Sequence, residues 1–598
     1  MSIKACGQHD AVDLLTFAFG GSTSYDPTQP LYIDAEDPSC CLNAEEFKSL
    51  VRSLIAGLKA AGIQPGDCVL LHLPNSILYS ALFFAIIGAG AVYMGSNPAS
   101  PAYELNHVFT TAQPRLVITS ADALLTVLEV CPERGLSKDQ IYLLDSNTVK
   151  SIVRDVRDCQ LHTDQVKKCN TNTPRSLLHL LNNGESNWHT FEETTASKTT
   201  PAVMFLTSGT SGTPKAAVLS HNSVIAQHLS AQYDVPYKPT RLMCLPIFHS
   251  FGAQWAHISP IRYGQPSYVL PRFDPVLFLE MVRRYNITET YMVPTMVHIL
   301  NRSALASTAN VAGFLTSMRY IGVAGASIDA PSMRQFQDLL DLQATVGPIW
   351  GMTETGIAFI NRFGESQIPG SIGKPTPMFE ARVVTLDTTA QIIDRDDCPG
   401  ELEVRGPGTL LEYKGGTQER IKDENGWFKT GDTVYVKDGN YFMFGRTKEL
   451  IKVYGWHVAP AEIEAVLLKH PSIKDAAVIG IPLKDSNTEA PRAFIVRCNT
   501  QRPFLTSEEV YSFAQKHLAS YKALDGGVVF VTEIPRTASG KVLRRKLAEM
   551  NSHREKLSSL LGKSIRKMPG TGLPEKKIAI ESFHRSSPRE DCESFCYC

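Results

Sequence analysis

The residues best suited to chemistry form a loop: Thr207, Ser208, Gly209, Thr210, Ser211, Gly212, Thr213, Pro214 and Lys215, directly after the apolar run Val203-Met204-Phe205. Side chains this small let backbone N–H groups approach a phosphate closely, and the hydroxyls donate further hydrogen bonds. Lys215 adds a compact positive charge. The spacing departs from the GxxxxGK[ST] loop of common NTPases, so a kinase- or GTPase-like nucleotide fold is not supported. A plain Ser/Gly linker is the alternative; the strand in front and the Pro-Lys ending argue against it.

Four more motifs follow in order: Trp350-Gly351-Met352-Thr353-Glu354, Thr430-Gly431-Asp432, Arg446 to Lys452, and Thr537-Ala538-Ser539-Gly540-Lys541. With the loop, they resemble those of the adenylate-forming enzymes: acyl-CoA synthetases, beetle luciferases and peptide-synthetase adenylation domains. The resemblance runs from about Leu14 to Leu547 and is greatest to 4-coumarate–CoA ligases and fungal acyl-CoA ligases, which often serve secondary metabolism. It implies two steps. A carboxylate attacks the α-phosphate of MgATP to give an acyl-adenylate and pyrophosphate, and CoA then displaces AMP.

Residue roles follow from that resemblance. The loop and Lys215 hold the β- and γ-phosphates, Thr353 the α-phosphate, and Glu354 the Mg²⁺, a hard ion that takes oxygen ligands. Asp432, acceptor-only when ionised, takes the ribose hydroxyls with Arg446 assisting. Gly325, Ala326, Trp350 and Gly351 line the adenine site, with Trp350 as stacking face. His249, Phe251, Gly325 and Ile349 shape the acyl pocket, His249 as its gate. Arg272, Lys448, Tyr454 and Gly455 serve CoA. Gly445 is the hinge, and Lys541, Lys452, His249 and Thr353 are catalytic. Duller readings exist: Asp432 closing a turn, Trp350 and His249 as ordinary core, Lys541 on a solvated basic face with Arg544, Arg545 and Lys546. Departures from the pattern stand at Ala216, Pro348, Ile349, Gly445, Tyr454 and His457.

The elements that must position these residues read as α/β. Asn43 caps a helix over Ala44–Ala61 with Phe47, Leu50, Val51, Leu54 and Leu58 on one face. Strands are expected at Cys68–Leu73, Arg115–Thr119 and Arg319–Val323, in a βαβ rhythm. Uncharged Ile77–Met94 reads as a buried helix running into a strand rather than a membrane span. A polar surface excursion is expected from Asp145 to Thr200. The domain reading is a large α/β N-terminal domain over 1–444, a mobile α+β lid over 445–548, and a disordered tail over 549–598.

With 598 residues, 43% hydrophobic and a net charge of −1, the chain is neither a stapled mini-protein nor a dedicated nucleic-acid binder. Its 13 cysteines form no CxxC zinc pattern. With no signal-peptide core and no Ser-Lys-Leu ending, a cytoplasmic enzyme is expected, with no integral membrane segment. Its partners are a small carboxylic acid (aryl or medium-chain), ATP and CoA. Alternatives are loading of a carrier protein's phosphopantetheine thiol, a luciferase-like oxygenase, and a non-catalytic nucleotide-binding protein.

Overall fold

The computed structural model describes residues 12–20, 25–132, 135–158, 174–193, 195–207, 214–306, 311–326, 328–387, 389–414, 421–454, 456–483, 488–498, 505–536 and 542–552. The chain divides into two compact units, parting between Lys448 and Glu449.

The first unit holds an eight-stranded, a nine-stranded and a four-stranded sheet among its described residues. In the eight-stranded sheet, strand Cys68–His72 pairs in parallel with both Val92–Gly95 and Leu116–Thr119. Both faces of that strand are covered. Val69 and Leu71 join one apolar cluster, Cys68 and Leu70 another, following the two-residue pleat. The nine-stranded sheet runs parallel through Arg241–Met243, Glu289–Met292, Tyr320–Val323 and Thr345–Met352. The four-stranded sheet is antiparallel and contains Phe428–Lys437 and Asn440–Arg446.

The helix Ala44–Ala60 starts where expected. Asn43 and Glu46 form a reciprocal capping box, satisfying backbone donors at its first turn. Gly57 lets that helix touch the turn Leu177–Asn182, since a Cβ there would fall 1.9 Å from the Leu180 carbonyl. The uncharged stretch forms the helix Tyr79–Gly88, buried along its whole length, and then the strand Val92–Gly95. No helix among the described residues is long and apolar enough to cross a membrane.

Two expectations are corrected. Residues 145–200 are more than a polar excursion: helix Ser146–Arg157 buries Ile152, Val153 and Val156, and the turn after it buries Leu177, Leu180 and Leu181. Polar residues on the outer face of that helix conceal the apolar stripe within. Residues 549–552 are helical, and Asn551 is buried and accepts a hydrogen bond from Arg492. The rest of the expected tail, 553–598, lies outside the described residues.

The second unit is α+β. The antiparallel pair Ile473–Pro482 and Glu489–Arg497 is joined by Gly527–Phe530, parallel to the latter. Helices Pro460–Leu467 and Ser507–His517 contribute Ile463, Leu467, Val510 and Ala514 to a core of their own. Arg544 pairs with Glu449 at 2.9 Å and Glu464 at 2.8 Å, which draws the unit's two ends together.

Burial also sets the pH response. Desolvation lowers the imidazole pKa of His72 to about 4, and those of His221, His228 and His257 to about 3. The unfolded chain protonates these rings near pH 6.5, whereas the folded chain does not, so stability falls as pH drops below that value. Each ring contributes about 1.4 kcal/mol per pH unit at most. The thermal midpoint is therefore expected to hold above pH 7.5 and fall steeply between pH 6.5 and 5. A flat profile over that range would contradict the neutral assignment.

Candidate active site

The stems of the hydroxyl-rich loop are fixed by a hairpin. Strands Pro201–Thr207 and Lys215–Ser220 pair antiparallel, with Thr207 opposite Lys215. His107 Nε2 lies 2.6 Å from the Pro214 carbonyl and steadies the exit. Ser208 to Thr213 lie outside the described residues. A further strand, Glu412–Lys414, pairs with Lys215–Ser220 and carries Tyr413. Lys215 Nζ stands 5.3 Å from the Tyr413 ring centroid, and the Tyr413 hydroxyl donates to Glu354 Oε1 at 2.9 Å. Burial and the nearby Glu354 charge raise the phenol's pKa, so Tyr413 stays a donor. The sequence reading missed Tyr413; an aromatic beside charged residues near the loop was its only signal.

A second polar group forms around Asp432, 4% exposed. Arg446 faces it across the strand pair and reaches Oδ1 through Nε at 2.8 Å. The Trp350 indole donates to Oδ2 at 3.0 Å. Thr430 adds its Oγ1 as acceptor for the Asp432 N–H at 3.1 Å. Trp350 rests edge-on to Phe359 at 5.3 Å, and its indole N–H is engaged with the carboxylate. That bond was not anticipated. Gly351 sits at the irregularity in the Thr345–Met352 pairing, where a Cβ would fall 2.3 Å from the Gly356 carbonyl.

A third group flanks Thr353. His249 is the N-cap of helix Ser250–Ala256, its Nδ1 accepting the Phe251 N–H at 3.2 Å. Although part of its surface is exposed, its depth lowers the imidazole pKa by desolvation. Ser250 Oγ is 3.2 Å from Thr353 Oγ1. Phe251 meets Tyr291 edge-on at 6.4 Å, and a Cβ on Gly322 would strike Ile349 Cδ1 and Tyr291 Cδ1 at 2.5 and 2.7 Å. Phe251, Tyr291, Gly322 and Ile349 therefore make one apolar wall. Gly325, at φ +92°, and Ala326 follow the strand Tyr320–Val323 and are exposed. Asn75 seats the His249 segment from below: its amide donates to the Leu245 and Leu270 carbonyls at 2.8 and 3.1 Å and accepts from Ile247 N–H at 2.8 Å.

The residues expected to serve CoA are distributed over both units. Arg272 is exposed on a bend after Ser267–Val269, and Lys448 is exposed in the turn Thr447–Glu449. Tyr454, at φ +46° and exposed, and Lys452 belong to the second unit, where Thr488 and Glu489 accept their backbone N–H groups. Gly445 lies within the strand Asn440–Arg446, opposite Thr433. Gly455 and Lys541 lie outside the described residues.

Residues 26–414 match the AMP-binding enzyme family, and residues 462–541 its C-terminal domain. The chain is 49% identical to nicotinic acid-CoA ligase pyr1 of Aspergillus fumigatus, over 93% of this chain and 99% of that protein. It is also 49% identical to nicotinic acid-CoA ligase olcI of Penicillium canescens, over 92% and 100%. The fold matches ATP-bound MatB from Rhodopseudomonas palustris with a TM-score of 0.72 at 24% identity, covering 90% of this chain and 98% of that one.

The Trp350 bond is open to a direct test. Trp350→Phe keeps an aromatic ring against Phe359 but deletes a donor to a buried carboxylate. A loss of about 1.5–3 kcal/mol of stability is expected, read as a lower urea midpoint at unchanged slope. An unchanged midpoint would mean that water replaces the indole. The ordered motifs, the two-unit division and the full-length similarity agree: this chain belongs to the AMP-binding enzyme family.

Proposed function

We propose that this protein is an ATP-dependent ligase that joins nicotinic acid, or a close monocyclic aromatic acid, to CoA. ATP-dependent acid–CoA ligation is its activity; the identity of the acid rests on the 49% identity, along nearly the whole chain, to two nicotinic acid-CoA ligases. The short wall of Phe251, Tyr291 and Ile349 supports a flat, compact acid, because Ile349 occupies the space that Gly322 leaves beside it.

A carboxylate is a poor acyl donor because oxide is a poor leaving group, and esterification to AMP removes that obstacle. Attack at the α-phosphate brings two anions together, so cations and N–H donors must offset the growing charge. The loop Ser208–Thr213 with Lys215 takes the outer phosphates and Thr353 the α-phosphate. Asp432, aligned by Trp350 and Arg446, takes the ribose hydroxyls. Gly325 and Ala326 border the base. Neutral His249 gates the acid without adding a competing charge.

Magnesium fits this site as a passenger on the nucleotide. Glu354 is a single carboxylate steadied by Tyr413, and the described residues contain no cluster of three ligating side chains. That suits an ion that keeps waters and phosphates in its shell. Lys541, from the matched C-terminal domain, neutralises the carboxylate and α-phosphate during adenylation. Arg272, Lys448, Tyr454 and Gly455 then serve CoA, with Lys452 acting in catalysis and Gly445 as the hinge. CoA, not a carrier protein, is the acceptor in this reading.

Two experiments follow. In a panel of acids with ATP and CoA, nicotinic acid should give the highest kcat/KM for pyrophosphate release, above straight-chain acids by at least tenfold. Preference for an aliphatic acid would overturn the acid assignment. Lys541→Ala should abolish acid-dependent pyrophosphate release, yet still convert supplied acyl-adenylate to acyl-CoA. Equal loss of both steps in a folded variant would remove Lys541 from its adenylation role.

A further inference from the structure

Two groups assigned above to the nucleotide and its metal ion carry opposite charges, and one side chain touches both. Lys215 Nζ stands 5.3 Å from the Tyr413 ring centroid, and the Tyr413 hydroxyl donates to Glu354 Oε1 at 2.9 Å. The backbone around Tyr413 is tied to the same two neighbours. Leu410 N–H donates to the Glu354 carbonyl at 2.7 Å, and Leu411 N–H to the Val218 carbonyl at 2.8 Å. Tyr413 then sits opposite Ala217, on the strand that begins at Lys215.

Glu354 is buried and Lys215 half-buried. An ammonium on a four-carbon stem swings freely, and a carboxylate withdrawn from water attracts it more strongly than one in bulk solvent. Left to themselves the two would neutralise each other, and the ammonium would be lost to a polyphosphate. The aromatic face gives the cation a neutral partner, and the phenol gives the anion a neutral donor. We propose that Tyr413 is a positioning residue that keeps Lys215 from pairing with Glu354, so that the ammonium stays available to the outer phosphates of a nucleoside triphosphate. This deepens the reading of the nucleotide site given above and rests on it. Tyr413 needs no contact with the nucleotide for this role, because it acts through the two charges.

The test measures ATP affinity by titration calorimetry with EDTA present and no acid, so that neither metal nor turnover enters. Tyr413→Leu is compared in two backgrounds, with Glu354 intact and with Glu354→Gln. With Glu354 intact, affinity should fall about fivefold or more, because the carboxylate captures Lys215; in the Glu354→Gln background the fall should stay under about twofold. Tyr413→Phe keeps the ring and deletes only the hydroxyl, which guards against loss of packing. Its expected fall is about two- to fivefold, again confined to the background with Glu354 intact. Equal losses in both backgrounds, in folded variants, would mean that Tyr413 only packs; that would overturn the proposal and leave the nucleotide site as read. A Lys215→Ala variant that binds ATP as tightly as the unaltered chain would overturn both.

Discussion

A carboxylate inside a protein must be given donors, and the first unit is organised around two that are. Asp432 and Glu354 are both nearly inaccessible, at 4% and 7% exposure. Leaving either charge unpaired would cost several kcal/mol. Arg446 serves Asp432 from the neighbouring strand of its own sheet, and further donors come from other sheets. Trp350 of the nine-stranded sheet reaches Asp432 of the four-stranded sheet, and Tyr413 of the eight-stranded sheet reaches Glu354, just past a strand of the nine-stranded one. Asn75 adds a neutral tie between the two large sheets. The place where three sheets are stitched together is the place the proposed function assigns to the nucleotide and its metal ion. Rigidity and chemistry share the same bonds.

Much of this was legible in the residues. The hydroxyl-rich loop, Thr353-Glu354 and Asp432 announce themselves as candidates because the chemistry proposed for them depends on residue type at fixed spacing along the chain. Strands such as Cys68–His72 and the buried helix Tyr79–Gly88 are equally plain, since a run of apolar residues has few places to go. What stayed hidden was pairing across the chain. Nothing local says that Tyr413 will meet Glu354, 59 positions away, or that the indole of Trp350 will be turned to Asp432. The helix Ser146–Arg157 was hidden for another reason: its polar residues outnumber the three apolar ones that dock it.

The strand Thr345–Met352 has one more consequence. Ile349 presses toward Gly322 and Tyr291, where the proposed acid pocket lies, while its neighbour Trp350 holds the carboxylate of Asp432. Adjacent residues of a strand point to opposite faces, so one pleat separates the position proposed to border the acid from the one proposed to serve the nucleotide. A lineage could exchange the first repeatedly without disturbing the second. New acids could then be tried one residue at a time while activation continued unchanged. That separation gives a catalyst room to diversify.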